Sequence, residues 1–221
     1  TFGSMAECAG YMGVAECAYH AGVNLYQDPN LRKLLVTPMN CAFPDMTLAG
    51  HGHADAGGSV VDRAFSYVRP YLRTGDSAYG WVIREAYEVR GEDRSESSLN
   101  LWAGAVSLPK EVDFAPTFGT THFHSRGLVM LRTGEGMGAI NVLFDYGYTG
   151  GHAHPDKLNI GLYANGQVQV PDGIQLYTAP EAFTYNGTPV GHNTVVVDEL
   201  AQHTSEEQHL AFLGQTPTVQ V

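Results

Sequence analysis

Between Leu108 and Thr120 the chain changes the period at which its apolar residues recur, and this change divides it into two differently built parts. Upstream the spacing is helical. Ser4 with Glu7 reads as a capping box that opens a helix running through Ala21 and closing at Gly22. Asp28 before Pro29 opens a second helix, with Leu31, Leu34 and Leu35 on one face and Pro38 expected to end it. Val60 to Tyr71 and Ser77 to Val89 read as two further amphipathic helices, and helices joined by short connections predict part of a bundle or toroid. Pro109 and Pro116 flank a polar stretch. The expected organisation is therefore a helical domain over 1–108, a linker over 109–119 and a β domain over 120–221.

Downstream the signals are those of strands. Gly127 to Arg132 and Ala139 to Phe144 are rich in apolar and β-branched residues, and Leu158, Ile160 and Leu162 alternate with Asn159, Gly161 and Tyr163. Asn165-Gly166 is a two-residue hairpin signal leading into Gln167 to Val170. Thr194 to Val197 reads as a buried strand, and His209 to Leu213 as a weaker one. Hairpin-linked strands of this kind predict an antiparallel sandwich.

Charge narrows the function classes. Twelve basic against twenty-three acidic residues give a net charge of −11, which disfavours nonspecific attraction to nucleic acid or to anionic membrane. The same sign repels an acidic polymer at long range, so a protein acting on one must gather positive groups locally. No run of eighteen apolar residues exists, and no basic and then apolar leader is present. The sequence begins at Thr1 without an initiator Met, which is expected of a mature form or a fragment. Cys8, Cys17 and Cys41 form no paired framework and no C-x-x-C motif, and are expected to be buried thiols.

The residues that carry chemistry cluster between Asp145 and Asp198. His154, Asp172 and His192 are nitrogen and oxygen donors suited to a divalent ion such as zinc. A hairpin between His154 and Asp172 can return one strand end beside the start of its partner, and His192 would arrive from a third segment. Asp156 is a competing carboxylate. His152 and His154 share a face if their segment is extended, so both could be ligands, or one could bind while the other faces a cleft. A separate His51-x-His53-x-Asp55 pattern resembles metallohydrolase sites but lacks the histidine that normally follows, and is expected to be an exposed loop.

At these residues the sequence resembles the heparinase II/III-like superfamily of polysaccharide lyases, which includes oligoalginate lyases. The motifs that match are Gly151-His-Ala-His-Pro-Asp-Lys-Leu158, the strand and Ala-Asn-Gly turn after it, Asp172-Gly173 and Gly191-His-Asn-Thr-Val-Val-Val-Asp198. Looser matches run through Ser125 to Arg132, Ala9-Gly10-Tyr11 and Ala21 to Tyr26. The resemblance implies an α+β multidomain fold, the C-terminal part of an incomplete (α/α) toroid followed by an antiparallel β-sandwich. It also implies a fragment covering the end of that toroid and the start of that sandwich. An Asn/His segment that helps bind the uronate carboxylate in relatives has no counterpart in this sequence.

The activity implied is cleavage of uronic-acid-containing glycans by β-elimination. That reaction needs the uronate carboxylate neutralised, the C5 proton removed and the departing glycosidic oxygen protonated. The resemblance gives Tyr11 as the toroid acid or base, His152 as the sandwich histidine facing the cleft, and either Tyr177 or Tyr185 as a second tyrosine. It gives zinc a structural role, with a water as a candidate fourth ligand. An anionic poly- or oligosaccharide is the expected partner, with no nucleic acid and no membrane, and homo-oligomers are compatible. A periplasmic or secreted location is favoured, with the cytoplasm left open. Two other classes remain: a noncatalytic carbohydrate-binding or structural module with a metal-stapled sandwich, and a metallohydrolase using His51, His53 and Asp55.

Overall fold

The structure, a computed structural model, describes residues 4–50, 58–89, 119–124, 127–134, 136–147, 154, 156–172, 184–185, 187–200 and 202. It divides into two compact units, one formed by residues 2–40 and 58–117 and the other chiefly by 41–57 and 118–221.

The first unit is helical, with α1 (Ser4–His20), α2 (Pro29–Asn40), α3 (Phe65–Thr74) and α4 (Ser77–Arg84). Turn chemistry sets most of the boundaries. Gly22 at φ 88° follows α1, and Gly75 at φ 68° ends α3 by donating its N–H to the Tyr71 carbonyl. Asp76 caps α4, its carboxylate accepting from the Ala78 amide at 3.0 Å. Two expectations differ in detail. Pro38 lies inside α2 rather than ending it, because a proline in the last turn removes only one backbone donor, and the helix runs on to Asn40. Over Val60 to Tyr71 a short 3-10 turn at Val61–Arg63 comes first and α3 follows.

Val60, Val61, Val68, Val82 and Ile83 are fully buried, each side chain contributing about 1.5–3 kcal/mol by leaving water. Tyr67 is buried among them and donates its hydroxyl to the Leu35 carbonyl at 3.2 Å. At the unit's surface Arg73 pairs with Glu16, which also accepts from the Tyr26 hydroxyl at 3.0 Å. Burial, with Glu16 beside it, pushes the Tyr26 phenol up and keeps it a neutral donor. Cys17 is exposed, against the expectation of buried thiols, because it lies on the outward side of α1; Cys41 is buried and its thiol is pushed up to about 12 by desolvation.

The second unit is built on one antiparallel sheet in the order β1 (Thr121–Phe123), β2 (Leu128–Thr133), β3 (Ile140–Asp145), β4 (Asn159–Ala164) and β5 (Gln167–Val170). Asn165 and Gly166 have φ values of 53° and 76°, as a tight type I′ hairpin between β4 and β5 requires. Registers bring Met130, Leu143 and Gly161 side by side, and likewise Leu128, Asp145 and Asn159. Gly127, at φ 65°, is needed where the backbone before β2 meets that after β3, since a Cβ would run into the Gly147 Cα.

One face of the sheet carries Leu128, Met130, Leu143 and Tyr163, covered by Phe43 and Ala49 from the 41–57 segment. Phe43 stacks on Tyr163 with ring centroids 5.4 Å apart, and Arg132 donates to the Ala42 carbonyl at 2.9 Å. Along β4 the buried residues are Asn159, Gly161 and Tyr163, while Leu158 and Ile160 are exposed. Thr194 to Val197 is not a strand: Val195 and Val197 are exposed, and the segment is fastened by side-chain bonds instead of a ladder. The expected strand at His209 to Leu213 lies outside the described residues.

Candidate metal centre at the end of the sheet

Four chain segments supply the site. His154 and Asp156 lie in the connection between β3 and β4, Asn159 begins β4, Asp172 follows β5, and His192 follows a 3-10 turn at Pro189–Gly191. All five side chains are buried. The 192–194 segment is held where it is by backbone and side-chain bonds. Ile160 donates its amide to the Asn193 carbonyl at 3.2 Å, Asn193 Nδ2 donates to the Pro171 carbonyl at 2.8 Å, and Thr194 Oγ1 donates to the Lys157 carbonyl at 2.5 Å. His192 is thereby carried to the mouth of the β4–β5 hairpin.

The His154 and His192 rings have centroids 4.8 Å apart. His192 Nδ1 lies 2.7 Å from Asp172 Oδ1 and 3.6 Å from Asp156 Oδ2. Donor atoms of His154, Asp156 and His192 all fall within 4.8 Å of one another, the group among the described residues with the reach to hold a metal ion. Asn159 clasps two of the segments: its Nδ2 donates to Asp156 Oδ2 at 3.2 Å, and its Oδ1 accepts from the Asn193 amide at 3.1 Å.

These residues fit a divalent cation. Imidazole and carboxylate are the donors that zinc takes, and a dication offsets the cost of burying two carboxyl groups in their charged form. A cation here would fasten the β3–β4 connection to the segment after Gly191, which no shared strand ladder does among the described residues.

The remaining sequence candidates fall elsewhere. Tyr11 is on α1 of the helical unit with 54% of its surface exposed. Tyr185 is 55% exposed and donates its hydroxyl to the Val190 carbonyl at 3.1 Å. His152, Tyr177, His51, His53 and Asp55 lie outside the described residues. Two features had no forecast. Asn159 is one, although it has the parity of Gly161 and Tyr163, and a polar residue on a strand's buried face needs a partner. The other is His122, whose Nε2 lies 2.5 Å from the Tyr146 hydroxyl just beyond β3.

Residues 115–220 match the family described as heparinase II/III-like, C-terminal. Among solved structures the chain is similar to heparan sulfate lyase HepC from Pedobacter heparinus, with a TM-score of 0.72 and 14% identity over 97% of this chain and 31% of that one. It is similar to a heparinase III gene product with a TM-score of 0.67 and 16% identity, over 97% of this chain and 31% of that one. A further heparinase III gives a TM-score of 0.64 and 15% identity, over 96% of this chain and 33% of that one. The chain spans about a third of the length of these structures, and at such identities the likeness speaks to the fold. No curated protein matches the sequence.

Proposed function

From the match of residues 115–220 to the heparinase II/III-like C-terminal family we propose that this chain belongs to that family and serves a polysaccharide lyase that cleaves uronate-containing glycans by β-elimination. The family match over the sheet unit carries the proposal, and the likeness of fold across nearly the whole chain, helices included, supports it. In the elimination a base takes the C5 proton, the C4–O bond breaks as the C4–C5 double bond forms, and the departing oxygen takes a proton from an acid. Tyr11 is assigned the proton transfer. A phenol suits the acid role better than the base, because its O–H is a donor from which the departing oxygen can take a proton. His152 is assigned to holding or neutralising the charge that develops on the uronate. Tyr185 and Tyr177 are alternatives for a second tyrosine, and the bond from Tyr185 to the Val190 carbonyl would have to be exchanged for substrate.

The metal proposed at His154, Asp172 and His192 is zinc, with Asp156 beside it; it would supply structure, fixing the segment that precedes β4. The substrate class is an acidic glycan of the glycosaminoglycan or alginate type, and a periplasmic or secreted location belongs to the same proposal. The test is the ultraviolet absorbance of the conjugated double bond, followed while the full-length parent acts on a panel of polyuronates. A rise on at least one is expected. No rise on any of them, with glycan binding retained, would replace the lyase by a noncatalytic binding module.

A further inference from the structure

We infer that His122 and Tyr146 pin the start of the connection between β3 and β4, and that His122 is thereby a positioning residue for His152, which this connection carries. The inference rests on the lyase reading above and adds to it a pair that belongs neither to the metal group nor to the assigned acid. Tyr146 is the first residue beyond β3, eight before His154 and six before His152 (154 − 146 = 8, 152 − 146 = 6). Its side chain is buried, and a buried phenol needs a hydrogen-bonding partner. His122, on the edge strand β1, reaches across β2 to supply one, its Nε2 lying 2.5 Å from the hydroxyl. The rings pack as well: the Tyr146 centroid is 6.0 Å from that of His122 and 6.0 Å from that of Phe144.

The backbone beneath this pair makes the same link. Gly127, in the turn between β1 and β2, donates its amide to the His124 carbonyl at 3.2 Å and accepts from the Tyr146 amide at 2.8 Å. So close an approach needs a glycine, because a Cβ there would lie 2.2 Å from the Gly147 Cα. Gly147 in turn donates its amide to Asp145 Oδ1 at 3.0 Å. Residues 145–147 are thus tied to the sheet, and at the far end of the connection Asp156 is tied to Asn159. The stretch that includes His152 is held at both of its ends, and His122 supplies the side-chain part of the first hold. Misplacing a reacting group by about 1 Å can cost about a hundredfold in rate, which is how a residue outside the chemistry controls it.

The test is steady-state lyase kinetics of the full-length parent, each variant being shown by urea unfolding to be folded. Tyr146→Phe keeps the ring and removes the hydroxyl. It should lower kcat by about tenfold to a hundredfold with KM little changed, because what is lost is the placement of a group that acts in the transition state. His122→Leu, at a half-buried edge position, should do the same and decides the matter if Tyr146→Phe does not fold. His122→Gln, whose amide offers a donor and an acceptor, should stay close to wild type. In a His152→Ala background Tyr146→Phe should cost nothing further, whereas a general loosening of the fold would add its loss to that of His152→Ala. Normal kcat in His122→Leu, a His122→Gln no better than His122→Leu, or a full additional loss in the His152→Ala background overturns the positioning role while leaving the lyase reading in place. A parent that makes no unsaturated product from any polyuronate overturns both.

Discussion

The two ends of β4 are buried by opposite means. At Tyr163 the strand is covered by Phe43 in an apolar cluster with Leu128, Met130 and Leu143, where the gain comes from apolar area removed from water. At Asn159 the same strand opens into a cluster of two carboxylates, two imidazoles and an amide, where removal from water is a cost until charge is balanced. The apolar end is complete in itself. The polar end has a group that could hold a cation, and on the reading proposed above the two ends should respond differently to every treatment that removes one.

Tyr163→Ala should give the largest loss, about 3–5 kcal/mol for emptying a buried aromatic site, and urea unfolding should show the same loss with and without a chelator. His154→Ala should cost about 3 kcal/mol when zinc is present at a hundred times its Kd or more, because the variant forfeits the stabilisation that binding supplies. In chelator the variant and the wild-type protein should unfold at nearly the same urea concentration. A His154→Ala loss that persists undiminished in chelator would show that this end, like the other, is held by packing.

Tyr11→Phe sharpens the contrast from the helical unit. It alters one exposed residue by a single hydroxyl, so unfolding and zinc content should be unchanged, while in the full-length parent the proposed lyase turnover should fall by at least about a hundredfold, or about 2.7 kcal/mol of barrier. Near-normal turnover would pass the proton transfer to Tyr177 or Tyr185. The smallest effect concerns Glu16. Arg73 beside it is the main reason that its carboxyl is held below the ordinary 4.5. A carboxylate whose folded value is depressed stabilises above the unfolded value, and that contribution is lost as pH falls through the lower folded value. Glu16→Gln should therefore flatten the acid side of the stability profile by no more than about 1 kcal/mol, as expected of a pair at the protein surface.

What the sequence made legible follows from where the physics is local. The turn at Asn165-Gly166 and the helix boundaries at Gly22 and Pro29 depend on backbone conformations that few residues adopt, and they were readable. So were strands β2 to β4, because each carries its own apolar run. The metal-capable histidines stood out by residue type. Other features depend on distant partners. Phe43 joins the sheet unit through Tyr163, far along the chain, and nothing in its neighbours signals that. Asn159 was hidden because the obvious apolar members of its alternation, Leu158 and Ile160, are the exposed ones. Thr194 to Val197 has strand composition, yet among the described residues the bonds from Thr194 and Gln202 to the Lys157 carbonyl hold the segment instead of a ladder.

The central claim is that the polar end of the sheet is completed by a divalent cation, and thermal unfolding of the wild-type protein, once with zinc and once after chelation, tests it most directly. The account predicts a midpoint that falls on chelation and returns when zinc is restored, by the amount that about 2.7 kcal/mol supplies at zinc a hundred times its Kd. The same midpoint in zinc and in chelator would contradict it.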